Sequence, residues 1–270
     1  MAVVQANGIE QFYEWHGDNA GIPVALVAGM GGAGSYWGPQ IADFSARFRV
    51  LVTDQRGTGR SSRVTVQSIE QLAEDFIALL DALQIEKVHF VGHSTGGAVG
   101  QVVASRYPGR IASLVLYASI DRADPYRHRI WSLRKRVLQT MGPEVYAQTT
   151  SLFFYPPEFI NDNDESLRAV EAKTAANELS SAEIMESRID SILKFDISAQ
   201  LGKVVAPTLV ICAEDDLLTP AYFSRQIAAA IPGARLYLFD KGGHAVSRSR
   251  PAEFNAVVLE FLRGQVTAGR

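Results

Sequence analysis

Short β-rich runs separated by helix-forming stretches constrain this chain more than any other feature. IEQFYEW (9–15), PVALVA (23–28), FRVLVT (48–53), KVHFV (87–91), ASLVLY (112–117), PTLVIC (207–212) and ARLYLF (234–239) are dense in β-branched, aromatic and leucine side chains. Between them, IEQLAEDFIALLDAL (69–83) sets Leu72, Phe76, Leu79, Leu80 and Leu83 at the three- and four-residue steps of one helix face. Strands alternating with helices predict an α/β fold, a mostly parallel sheet with helices on both faces. The alternation stops after Tyr117 and resumes at Pro207. The intervening SLRKRVLQTM, ESLRAVEAKTAANEL and SAEIMESRIDSILKF carry few β-branched residues, which predicts a helical insertion over 123–203 at the sheet's edge. Residues 1–122 and 204–270 would then form the core.

Composition narrows the classes of partner. With 270 residues, 47% of them hydrophobic and 20% charged, the chain can build a sizeable globular core. A net charge of −3 supplies no bulk attraction for nucleic acid or an anionic membrane. Cys212 is the single cysteine, so an internal disulfide and a cysteine-based zinc cluster are both excluded. The start, MAVVQANGIEQFYEW, lacks the basic region and apolar run of a secretory signal, and no later run approaches the ~18 apolar residues of a membrane span. A cytoplasmic protein acting on a small molecule is expected.

The chemistry concentrates at VHFVGHSTGG (88–97). VHFV reads as a buried strand and TGGAVGQVVASRY as a helix, so Ser94 stands at a strand-to-helix turn within Gly92-x-Ser94-x-Gly96. That is the setting of a nucleophile elbow, where the serine is exposed above the sheet. A serine hydroxyl needs a base to take its proton and an acid to orient the base, in the chain order Ser, acid, His. Of five histidines, His244 in DKGGHAV alone lies beyond the last strand. His93 should pack beneath the turn, and His16, His89 and His128 read as ordinary surface or strand residues. For the acid, CAEDDLLTP puts Glu214, Asp215 and Asp216 at a strand's carboxyl end; Asp216, four residues before Pro220, is the candidate, with Asp215 the alternative.

Two other motifs compete. GMGGAG (29–34) matches the dinucleotide fingerprint Gly-x-Gly-x-x-Gly, and Asp54 stands 20 residues beyond Gly34. But SYWGPQIADF continues it, where a fingerprint needs a helix already running toward the pyrophosphate. The loop instead suits an oxyanion hole, with the backbone N–H of Met30 opposite that of Thr95. DNDES (162–166) hints at calcium but has Leu167 where an EF-hand loop needs glycine, and reads as a loop that starts a helix.

AGMGGAGSYW, DQRGTGRS, VGHSTGG, LFFYPPEFI, CAEDDLLTP and GGHAV together resemble the α/β-hydrolase superfamily over nearly the whole chain. They are most similar to its aminoacrylate hydrolase group of the Rut pyrimidine-utilisation pathway. That resemblance implies a triad of Ser94, Asp216 and His244, oxyanion donors at Met30 and Thr95, and a cap over 123–203. Members of the group do not all keep a serine at the elbow, so Ser94 here favours acyl-enzyme chemistry. The implied substrates are small amides, carbamate-like compounds or enamine acids from heterocycle breakdown, handled without cofactor or metal. Enol-lactone and carbon–carbon bond hydrolases share much of the pattern; a small-molecule receptor and a cofactor-free oxygenase or peroxidase are the readings from other classes. Trp37, Trp131 and Tyr155 are expected to line the substrate pocket. The basic run DRADPYRHRIWSLRKR is expected to supply a carboxylate partner, with Arg129 and Arg134 the candidates.

Overall fold

The computed structural model describes residues 2–268, with the side chains of 177, 178 and 266–268 outside that description. An eight-stranded sheet runs through the molecule. Its strands are β1 (Ala2–Ala6), β2 (Ile9–His16), β3 (Val24–Val27), β4 (Val50–Thr53), β5 (Val88–His93), β6 (Ile111–Tyr117), β7 (Thr208–Ala213) and β8 (Arg235–Phe239). They lie in the order β1-β2-β4-β3-β5-β6-β7-β8. From β4 to β8 every pairing is parallel, while β1 and β2 join antiparallel at one edge.

The apolar runs are continuous because both faces of the sheet are covered. In β3, Val24 and Leu26 belong to one apolar cluster and Ala25 and Val27 to the other, as the two-residue period of a strand requires. On the first face lie α1 (Gly38–Ser45) and, at the end of the chain, a long helix over Pro251–Ala268, which bury Phe44, Phe254, Val258 and Leu262. On the second lie α2 (Ile69–Ala82) and α3 (Thr95–Arg106). Ser68 caps α2 by accepting a hydrogen bond from the Gln71 amide at 3.1 Å, and Leu72, Phe76, Leu79 and Leu80 are all buried. Each such side chain contributes roughly 1.5–3 kcal/mol of burial free energy.

The sequence reading expects seven strands and misses β1. It is held by a hairpin turn in which Asn7 and Gly8 both have positive φ, 48° and 74°. Asn-Gly is the preferred pair for such a turn, so the signal was present in the sequence.

Between β6 and β7 come α4 (Pro125–Phe154), α5 (Pro157–Lys173) and α6 (Ala182–Leu193). Asp124 caps α4 through the Arg127 amide, and Gly142 (φ 82°) followed by Pro143 breaks it into two segments. DNDES lies inside α5, with a kink at Asn163, and so is not the loop expected from its polarity. The chain closes with α7 (Ala221–Ala230), the short α8 (Val246–Ser249) and α9 (Pro251–Ala268). No helix among the described residues is long and apolar enough to cross a membrane.

His89 carries a stability prediction. It is buried on β5, with Nδ1 2.8 Å from Ser113 Oγ on β6, and burial lowers its pKa from 6.5 to about 4. As pH falls below 6.5 the unfolded chain takes up a proton that the folded ring refuses until about pH 4. Stability is therefore complete above pH 6.5 and declines from there to pH 4, by at most about 3 kcal/mol from this group. Urea unfolding of His89→Gln should lose less stability over that window than the wild type; an unchanged pH slope would refute the assignment.

Candidate active site

The carboxyl ends of β3, β5, β7 and β8 converge on one region, where the chain order reverses direction across the sheet at β3. Open α/β sheets bind ligands at such a point. Ser94 sits between β5 and α3 with φ 52° and ψ −115°, a strained conformation for a residue with a Cβ. Its amide donates to Tyr117 O at 2.8 Å, and its carbonyl accepts from the Ala98 amide and from Ser119 Oγ. The flanking glycines are required by close approach. A Cβ at Gly92 would lie 2.4 Å from Gly96 O, and one at Gly96 would lie 2.3 Å from Val27 O. Only hydrogen fits where strand and helix cross.

His244 follows β8 and Asp216 follows β7. His244 Nδ1 lies 2.9 Å from Asp216 Oδ2, with both side chains buried. Asp216 Oδ1 accepts from the amides of Leu218 and Thr219, each at 2.8 Å, and Thr219 Oγ1 stands 2.7 Å from Oδ2. Burial pushes this carboxyl's pKa upward, but the charge and hydrogen bond of His244 and the bonds from Thr219 outweigh it and hold the group below its usual range. The neighbouring Asp215 faces elsewhere and accepts from the amides of Gly242 and Gly243, at 3.2 and 2.8 Å. Of the two carboxylates weighed from sequence, Asp216 meets the imidazole and Asp215 shapes the loop that carries it.

His93 lies beneath this pair. Its Nε2 is 3.2 Å from the His244 carbonyl, which also accepts from Tyr117 Oη at 2.8 Å. A carbonyl only accepts, so His93 carries its proton on Nε2. Burial and the nearby His244 hold its pKa well below 6.5, keeping the ring neutral. Tyr36 stacks on the ring at 4.4 Å.

Ser94 and His244 both line a cavity of about 180 Å³, with Met30, Tyr36, Trp131, Arg134, Phe154 and Tyr155 among the other walls. This is below the ~300 Å³ at which drug-sized sites begin, so the space matches a small metabolite. The inserted helices come down onto the His244 loop directly. The Ala245 amide donates to Phe154 O at 3.0 Å, and the Phe154 ring meets His244 edge-on at 5.1 Å.

Two residues expected at the pocket are elsewhere. Trp37 is fully buried against Tyr36, His93, Tyr117 and Phe254, because the turn before α1 rotates it into the core. Arg129 is exposed on α4, on the helix face away from the cavity. Arg134 is 2% exposed, and its guanidinium lies 4.6 Å from the Tyr146 ring, 5.2 Å from Trp131 and 5.3 Å from Phe153. Nη2 donates to Thr150 Oγ1 at 2.8 Å, while Nε and Nη1 have no hydrogen-bond partner among the described residues. Arg248 also lines the cavity, four residues after His244, with its guanidinium over the Tyr36 ring at 5.7 Å. Sequence reasoning missed it, and missed Thr219, although Asp216-x-x-Thr219 is a local side-chain-to-backbone signature.

Asp54, which directly follows β4 and faces the glycine loop, is committed to structure. It is buried and accepts from the Gly34 amide at 2.8 Å and the Arg60 amide at 2.9 Å. Residues 34–37 form a single 3-10 turn, so no helix opens at the glycines to receive a pyrophosphate.

A parallel sheet flanked by helices, with a strained serine after its central strand and a buried acid–histidine pair after later ones, is the architecture of an α/β hydrolase. The chain belongs to the α/β hydrolase fold family, whose sequence profile matches residues 22–250, and within it to the group of its curated RutD relatives. The putative carbamate hydrolase RutD of Azorhizobium caulinodans is 39% identical over 262 residues, 97% of this chain and 98% of that protein. The Pseudomonas syringae protein of the same name is 38% identical over 258 residues, 94% of this chain and 99% of its own. Among solved structures, the enol-lactonase from Burkholderia xenovorans LB400 superposes with a TM-score of 0.89 at 28% identity, covering 97% of this chain and all of that one.

Proposed function

We propose that the protein is a cofactor-independent serine hydrolase that cleaves a small amide or carbamate-like metabolite through an acyl-enzyme; an enamine acid, which has no acyl–nitrogen bond, would instead be hydrolysed by water that His244 activates. One observation carries the reading: Ser94 and His244 wall a single cavity, and the far side of the imidazole is bonded to Asp216 at 2.9 Å. With Nδ1 committed to Asp216, His244 Nε2 is the base that takes the Ser94 hydroxyl proton as Oγ attacks the substrate carbonyl. The amides of Met30 and Thr95 stabilise the oxyanion. The tetrahedral adduct collapses as Nε2–H protonates the departing nitrogen or oxygen. Water then gives its proton to Nε2 and attacks the acyl carbon, and Ser94 leaves with that proton restored.

The carbamate hydrolase relatives support the substrate class, and the size of the cavity agrees with it. The likeness to the enol-lactonase keeps lactone opening as a second reading, since both reactions pass through the same acyl intermediate. The helices over 123–203 act as a cap that selects the substrate. Its Arg134 holds a substrate carboxylate, because a buried guanidinium with two idle donors is costly unless an anion completes it.

The test is a serine-reactive phosphonate followed by mass spectrometry, combined with a panel of small amides, carbamates and enol-lactones. A single adduct on Ser94 and turnover of an amide or carbamate are expected; labelling elsewhere, or turnover that survives full labelling, overturns the mechanism. Arg134→Met should raise KM for carboxylate-bearing substrates by about 10- to 100-fold while sparing neutral esters. Equal changes for both classes would return Arg134 to a packing role.

A further inference from the structure

Arg188 on α6 is 1% exposed and lies outside the cavity wall, yet every arm of its guanidinium is engaged. Nε donates to Met30 O at 2.8 Å, Nη1 to Arg56 O at 2.8 Å and Nη2 to Gln55 Oε1 at 2.7 Å. Gln55 Nε2 in turn donates to Ala28 O at 2.6 Å, and the Gln55 amide to Gly32 O at 2.9 Å. All the acceptors belong to two loops of the sheet core, the glycine loop after β3 and the loop after β4. The donor comes from the inserted helices.

The glycine loop is built to receive this side chain. Gly29 and Gly32 close a turn through a 2.9 Å bond, with Met30 and Gly31 between them, so Arg188 grips the central peptide of the turn by its carbonyl. Gly32 has φ 67°, and a Cβ there would lie 2.6 Å from Thr58 and 3.0 Å from Arg188 Nη2. The guanidinium is also a cation without an ion pair among the described residues: its three partners are two carbonyls and an amide oxygen. Burial lowers its pKa only to about 10, so it stays charged at neutral pH.

We infer that Arg188 is a positioning residue for the oxyanion hole, by which the inserted helices fix the Met30 turn and set a buried positive charge behind it. The inference rests on the serine-hydrolase reading above. One hydrogen bond from the fork holds Met30 O directly, and the other two anchor the guanidinium to Arg56 O and to Gln55, which itself bonds Ala28 O and Gly32 O. The turn is thus fixed in one conformation before substrate arrives, which is what an oxyanion donor needs to avoid reorganising during the reaction. The charge acts on the transition state more than on the ground state, since the substrate carbonyl becomes an oxyanion only there. Seating of the inserted helices and assembly of the oxyanion hole thus become one event.

The experiment compares wild type, Arg188→Lys and Arg188→Ala by kinetics on p-nitrophenyl acetate and by binding of phenylboronic acid, which forms a tetrahedral adduct with a reactive serine. Lysine keeps the charge but supplies no fork. Arg188→Lys is expected to lower kcat about 10-fold or more with KM within about twofold, and to weaken boronate binding in proportion, since loss of a full oxyanion donor costs ~100- to 1,000-fold. Arg188→Ala should lose more, and added guanidinium ion should restore part of its kcat. A fall in Tm accompanied by unchanged kcat per folded molecule would overturn the inference and leave Arg188 as a structural tie. So would a change in KM alone. Failure of the wild type itself to bind boronate at Ser94 would instead overturn the mechanism on which the inference stands.

Discussion

Ser94→Ala is expected to abolish turnover, with kcat reduced on the order of 10⁶-fold toward the residual rate that binding alone supports. The folded structure should survive. Alanine keeps the Cβ already accommodated at φ 52°, so the backbone strain is unchanged, and the bonds that hold the turn run through the Ser94 amide and carbonyl to Tyr117, Ala98 and Ser119. Tm should therefore stay within a few degrees of the wild type while phosphonate labelling disappears. Retention of activity within about tenfold would mean that Ser94 does not form the covalent bond, and that His244 activates water directly.

Asp216→Asn should lower kcat by about 10⁴-fold, and the reason lies in which oxygen does what. Oδ1 already accepts from the Leu218 and Thr219 amides, two donors that can bond only to an oxygen. An asparagine must keep its carbonyl on that side, so its NH2 group is forced against His244 Nδ1. The ring then takes the other tautomer, protonated on Nε2, and has no lone pair to offer Ser94. Asp215→Asn should cost less than about tenfold, because its oxygens serve the Gly242 and Gly243 amides and not the ring. If Asp215→Asn is the damaging change, or if Asp216→Asn retains most of its activity, the orienting role of Asp216 is wrong. Stopped-assay kcat for the two variants, with Tm as a control for folding, decides between them.

Much of this was legible in the order of residues, for physical reasons. A parallel sheet covered on both faces needs continuous apolar strands, so β3 to β7 stand out as apolar runs, and the amphipathic spacing of α2 follows from its single buried face. Gly92 and Gly96 betray the turn at Ser94 because no other residue fits where strand crosses helix. Asp216 and His244 were traceable by a rule of order: each follows a strand, and the strands' carboxyl ends meet. β1 escaped because VVQA is short and half exposed, although the Asn7-Gly8 turn beside it could have been read.

What only the tertiary structure decided is the surroundings of that site. The basic run at the start of α4 looks uniform along the chain, and helix rotation alone sends Arg129 to solvent and Arg134 into an aromatic-lined wall. Trp37 and Tyr36 are adjacent, yet one joins the core and the other the cavity. Arg188 carries no local signal at all. Its three acceptors lie on loops 132 to 158 residues away, and a contact made across such a separation is a property of how the helices dock and not of any neighbourhood in the sequence. The sequence determines which groups can do chemistry and at which strand ends they stand; packing determines which of them face the substrate and which hold the others in place.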